Sequence, residues 1–89
     1  MKIESEKDFD RLRDHVRSYR QKFPEFRHDV DQMEQSIEKH IKQYSQHLVQ
    51  HRQTKKRYYL EYAQKEIDAI NKIIALVEKI ELMSYLSQR

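Results

Sequence analysis

Glycine is absent from the 89 residues, as are cysteine and tryptophan, and proline occurs once. Without glycine there is neither a phosphate-cradling P-loop nor a dinucleotide-binding turn, because both need backbone approaches that a Cβ would block. Without cysteine there is no disulfide framework, no thiol nucleophile and no thiolate zinc site, which fits a reducing compartment. Long apolar runs are missing too. The longest is Ile73 to Val77, against about 20 residues for a membrane span. The opening stretch MKIESEKDFD is charged and lacks the apolar centre of a signal peptide. The expectation is a cytoplasmic or nuclear chain, not secreted, forming one domain over residues 1–89.

What is present is charge. Charged residues make up 37% of the chain, equal to the hydrophobic share, and the net charge is +3. Mean hydropathy is −1.10. A chain of this size buries only about 60% of its unfolded surface, so a partner chain that adds core would help it.

Apolar spacing supplies the fold class. Phe9, Leu12, Val16, Tyr19 and Phe23 alternate in steps of three and four, the one-sided spacing of an amphipathic helix. Ser5 and Asp8 stand where a capping box would start it, which predicts helix 1 over about 6–22. Pro24 fits the first turn of a new helix and disfavours helical geometry at Phe23. A break there is favoured over one kinked helix. The stripe resumes as Phe26, Val30, Met33, Ile37, Ile41, Tyr44 and Leu48, predicting helix 2 over about 24–50. The step of four from Ile37 to Ile41 departs from a strict heptad and points to bundle-like packing. A further stripe, Tyr59, Ala63, Ile67, Ile70, Ile74 and Val77, is widened by Ile73, Leu76, Ile80 and Met83. It predicts helix 3 over about 57–86.

The seven residues HRQTKKR at 51–57 decide the architecture. No glycine or proline marks a turn there, so one reading is a continuous helix from 24 to 86, about 95 Å long. The other is a hairpin apex with Thr54 as the N-cap of helix 3. The near-equal lengths of segments 24–50 and 57–86 favour the hairpin. Acids early and bases late in helices 1 and 2 suit the helix dipole, whereas Arg52, Lys55, Lys56 and Arg57 suit the end of helix 2 but oppose the start of helix 3. A use for the apex other than helix stability would explain them.

Three sets of side chains are candidates for function. The basic run Arg52, Lys55, Lys56 and Arg57 is followed by Tyr58, Tyr59 and Tyr62, and cations beside aromatics grip single-stranded nucleic acid. Against this, Glu25, Asp29, Asp31, Glu34 and Glu38 would repel phosphates, and a solvated tip with tyrosines over the core explains the same residues. His40, His47 and His51 lie near one stripe, which raises pH-sensitive association. Glu25 and His28 form one E-x-x-H, where a di-iron bundle needs two such motifs and two further glutamates. Polar seam or surface histidines are the simpler explanation. The serines have no nucleophile-turn context. No catalytic residue, cofactor or metal set is assigned, and a non-enzyme is expected.

The sequence therefore predicts an all-α small bundle of one short and two long antiparallel helices, coiled-coil-like and oligomeric. Its expected role is protein–protein interaction through helix association, with itself (a homo-oligomer) or with another protein as adaptor or chaperone-like subunit. The contact is expected at Phe9, Leu12, Val16, Phe26, Val30, Met33, Ile37, Ile41, Leu48, Ile70, Ile73, Val77 and Ile80. Ile73→Glu with Ile80→Glu should then yield a folded monomer. The alternative is a small nucleic-acid-binding protein using Arg52, Lys55, Lys56, Arg57 and Tyr58.

Overall fold

Phe9, Leu12, Val16 and Tyr19 are all buried along one side of α1 (Phe9–Lys22), as their spacing requires. The computed structural model describes residues 1–87 and continues with α2 (Arg27–Thr54) and α3 (Tyr58–Ser87). Together these make an all-α bundle in which three helices pack on one another and no strand occurs among the described residues. No described helix is long and apolar enough to cross a membrane.

Pro24 breaks the chain as a proline at a helix start should. Phe23 leaves helical geometry (φ −129°, ψ 69°), and Pro24–Phe26 form a single 3-10 turn closed by the Phe26 N–H on the Phe23 carbonyl. α-Helical bonding therefore starts at Arg27, three residues later than expected from the proline. Helix 1 is likewise entered through a 3-10 turn, Glu6–Asp8. The expected capping box does not form: the Ser5 hydroxyl makes no cap bond, and Asp8 Oδ2 accepts instead the N–H of Glu4, one residue before the cap position, at 2.9 Å.

The apex is a hairpin and shorter than 51–57. With no breaker in HRQT, α2 runs to Thr54, and only Lys55, Lys56 and Arg57 turn the chain. Thr54 does not cap α3. It is the last residue of α2, where its hydroxyl donates to the Gln50 carbonyl at 2.9 Å and accepts the Lys56 N–H at 3.3 Å. Lys55 ends the helix in the left-handed region (φ 62°, ψ 15°), a position that glycine normally takes.

The core lies between the three helices. Ile37 and Ile41 of α2 meet Ile67, Ile70, Ile74, Val77 and Ile80 of α3, with Leu12 and Val16 of α1 lying over them. Each fully buried side chain of this size contributes about 1.5–3 kcal/mol before entropy is subtracted. Ile3, which no periodicity marked, is also buried. Residues 1–4 lie against α1 and α3, anchored by Asn71 and Glu78.

α1 and α2 are registered by charge. Arg13 grips Glu38 with Nε to Oε1 at 2.6 Å and Nη2 to Oε2 at 3.1 Å, Arg20 reaches Asp31 at 2.8 Å, and Arg17 lies 3.7 Å from Glu34. Each step of three or four down α1 is matched by an equal step back along α2, as antiparallel helices demand. The molecule measures 55 × 18 × 16 Å. Phe9 meets the Tyr44 ring at 5.5 Å, so beyond Tyr44 the hairpin of α2 and α3 projects past the start of α1.

Candidate interaction surfaces

Most residues expected at a chain–chain contact are placed in the core of a single chain. Phe9, Leu12, Val16, Val30, Ile37, Ile41, Ile70, Val77 and Ile80 are buried, and Phe26, Met33 and Ile73 pack half-buried against them. Leu48 is half-buried on α2. In this fold these side chains serve the intramolecular bundle because α1 and the N-terminal residues cover what helices 2 and 3 leave open. Ile80 is 0% exposed, so Ile73→Glu with Ile80→Glu would put a carboxylate in the core and unfold the chain instead of dissociating an oligomer.

The exposed apolar side chains form a different set. His15 of α1 lies beside Glu78 of α3, and Ile3 of the N-terminal segment lies beside Asn71. At 100° per residue, Tyr62, Ala69, Leu76 and Met83 occupy the other side of the Ile70–Val77 stripe. They recur every seven residues, a spacing that drifts only about 20° per step, so they form one line along the helix. Tyr62, Leu76 and Met83 are exposed, and Ala69 and Ile73 beside them are half-buried. Lys65, Lys72 and Lys79, also seven apart and exposed, flank this line. The widened side of helix 3 (Ile73, Leu76, Ile80 and Met83), expected from sequence to contact another chain, is divided in the fold: Leu76 and Met83 are exposed, Ile73 is half-buried and Ile80 is buried.

On α2, the same side of the hairpin carries His40, Gln43 and His47. His40 Nδ1 lies 2.9 Å from Glu66 Oε2. The Gln43 amide, with its nitrogen turned to Glu66, donates to both carboxylate oxygens at 3.0 and 2.9 Å. His47 packs on Tyr62, ring centres 5.6 Å apart, and His51 sits half-buried a turn further on. Glu25 and His28 do not converge: Glu25 accepts a hydrogen bond from the buried Ser84 hydroxyl at 2.9 Å, and His28 is 3.2 Å from Gln32. Among the described residues no group of three or more His, Asp or Glu is placed to hold a metal ion.

The second surface is the hairpin tip. Arg52, Lys55, Lys56 and Arg57 are all exposed. None is ion-paired with a carboxylate among the described residues, in contrast to Arg11, Arg13, Arg17 and Arg20. Between Glu38 and Glu61 the chain has no Asp or Glu at all, while Lys39 and Lys42 add to the positive charge. The acidic stretch expected to repel phosphates is held elsewhere. Glu38, its nearest member, is about 25 Å along α2 from the turn, and Asp31, Glu34 and Glu38 face the arginines of α1.

Three tyrosines gather at this tip. Tyr58 meets Tyr59 at 4.5 Å and Tyr62 at 5.6 Å between ring centres, and Tyr59 stands edge-on to Tyr62 at 6.1 Å. Lys56 Nζ sits 5.8 Å from the Tyr58 ring, and Lys65 Nζ the same distance from Tyr62, within range of cation–π attraction. The Tyr59 phenol is held above its ordinary range, chiefly by its hydrogen bond with Tyr58. Tyr58 is 40% and Tyr62 42% exposed, so these rings do not serve as lids on the core.

No protein-family model, curated protein or solved structure matches this chain.

Proposed function

We propose that this protein is a non-enzymatic interaction module that docks an amphipathic helix of another protein along α3. The observation that carries the reading is the line of exposed Tyr62, Leu76 and Met83 with half-buried Ala69, flanked by Lys65, Lys72 and Lys79, the spacing of one row of a coiled-coil seam with a charged edge. The occupant is a helix with apolar residues in heptad spacing and Glu or Asp on the flank that meets those lysines. A second copy fits less well. Two α3 helices running antiparallel across this line would set Lys65, Lys72 and Lys79 against their own counterparts, and like charges facing each other are unfavourable. The reading therefore favours a foreign, acid-flanked helix over the homo-oligomer expected from sequence.

The test has two parts. Light scattering of the protein alone, across a concentration series at about 150 and 500 mM salt, should report a monomer of 11.1 kDa. A four-heptad peptide with Leu and Ile at the seam and Glu on both flanks should bind, and the same peptide with Lys flanks should not. Leu76→Glu with Met83→Glu should abolish binding without unfolding the chain, since both side chains are exposed. Equal binding of both peptides, or a dimer that the double variant dissociates, would overturn the proposed partner.

A further inference from the structure

We infer that the hairpin tip is a contact site for single-stranded nucleic acid, adjoining the helix-docking line and sharing Tyr62 and Lys65 with it. Three independent features of the tip converge on this chemistry.

The first is uncompensated charge. Arg52, Lys55, Lys56 and Arg57 project at one end of an elongated molecule, where Glu61 in the first turn of α3 is the carboxylate nearest them in sequence, while Asp31, Glu34 and Glu38 of α2 are turned to α1 and away from the tip. An anionic chain approaching the tip end meets cations first.

The second is their local cost. Lys56 and Arg57 stand just before the N-terminus of α3, where the helix dipole disfavours cations. Lys55 adopts the left-handed region although it carries a Cβ, where Gly or Asn would be cheaper. The end of α2 favours the same cations, so the cost is confined to the start of α3 and to the left-handed backbone of Lys55; strain of that kind points to a use beyond folding.

The third is the aromatic cluster. A phosphate-binding patch alone would suit duplexes, acidic proteins and anionic membranes equally. Half-exposed Tyr58 and Tyr62 rings directly beside Lys56 and Lys65 supply flat faces for unpaired bases within reach of groups that neutralise the phosphates. Duplex bases are already stacked and cannot use those faces. Single strands can. Cations hold the backbone and tyrosines hold the bases, so the site has no need of base-edge readout and is expected to discriminate little among sequences.

The experiment is fluorescence anisotropy of the full chain with labelled oligothymidylate and oligouridylate of about 15 nucleotides, across a salt series. If four phosphates are neutralised, affinity should fall about fifty-fold between 50 and 200 mM salt. Lys55→Gln with Lys56→Gln and Arg57→Gln should flatten that dependence. Tyr58→Leu should weaken binding about fivefold or more while leaving the salt dependence in place. All of these positions are exposed, and a circular-dichroism melt matching the parent confirms that each variant folds. Three results would overturn the inference: no binding to either oligonucleotide at 50 mM salt, equal binding of a duplex with no effect of Tyr58→Leu, or preference for phosphatidylserine vesicles or polyglutamate over both oligonucleotides. Leu76→Glu with Met83→Glu leaves the tip intact and should not change oligonucleotide binding, so this site and the helix-docking line succeed or fail separately.

Discussion

Asn71 and Ile3 exchange two hydrogen bonds: the Ile3 N–H donates to Asn71 Oδ1 at 2.8 Å, and Asn71 Nδ2 donates to the Ile3 carbonyl at 2.9 Å. One side-chain amide thus satisfies both backbone groups of a residue that lies outside any regular element. It lets Ile3 bury its side chain, 1% exposed, against the core. Met1 continues the anchor, its ammonium 2.7 Å from Glu78 Oε2, which also lies 3.0 Å from His15.

Asn71→Leu removes both partners at once and leaves a buried N–H and carbonyl unpaired. The expected loss is about 1–3 kcal/mol, equivalent to about 4–8 °C in melting temperature per kcal/mol for a domain of this size. Hydrogen exchange gives the sharper check. The Ile3 amide should exchange fast in the variant while amides in the middle of α2 and α3 stay protected. A protected Ile3 amide would mean that packing alone holds the segment.

Core and surface positions on α3 should separate cleanly although they neighbour each other in sequence. Ile74→Ala empties a site that is 0% exposed and should cost about 2–5 kcal/mol. Leu76→Ala, at 48% exposed, should change stability by no more than about 0.5 kcal/mol. Urea denaturation of both variants measures the difference. A large loss at Leu76 would mean that the exposed line is already covered by another chain in solution.

Replacing Lys55 with glycine tests the turn. The left-handed backbone at Lys55 is less costly without a Cβ, so Lys55→Gly should raise stability by about 0.5–1 kcal/mol despite the greater freedom of glycine in the unfolded chain. A destabilised variant would show that Lys55 is held by its side chain and not tolerated for it.

The three helices were legible because the physics that sets them is local. Phe9 to Phe23 and Ile67 to Val77 repeat at helical spacing, and Pro24 favours a break over a kink. The turn was less legible, since Lys55 does what glycine usually does and nothing in its identity marks a left-handed residue. Which neighbour each stripe faces was the least legible feature. Spacing shows that Leu12, Ile37 and Ile70 face something, but whether that something is another helix of the same chain depends on α1 folding back along the hairpin. The clue was in the charges: Arg13, Arg17 and Arg20 step by four and three, and Asp31, Glu34 and Glu38 by three and four, the mirror order that antiparallel neighbours need. Ile3 left no trace because its burial depends on Asn71, 68 residues away.

Those charge contacts also set the response to acid. Glu38 is held below its ordinary value first by its hydrogen bond from Arg13, and Asp8 by the Glu4 N–H. Burial raises the Glu78 carboxyl, but the Met1 ammonium and His15 more than offset that and leave it lowered. Each of these groups takes up its proton more readily in the unfolded chain than in the native one. Their contribution is therefore complete above the ordinary Glu value of about 4.3 and is lost as pH falls through that value toward the lower native ones. Chemical denaturation between pH 6 and pH 3 should show stability steady at first and then declining below about pH 4.5. Glu38→Gln should make that decline shallower while costing no more than about 1 kcal/mol at neutral pH, because the Arg13 pair is partly exposed. An acid slope unchanged by Glu38→Gln would mean that the α1–α2 charge ladder fixes register without contributing to stability.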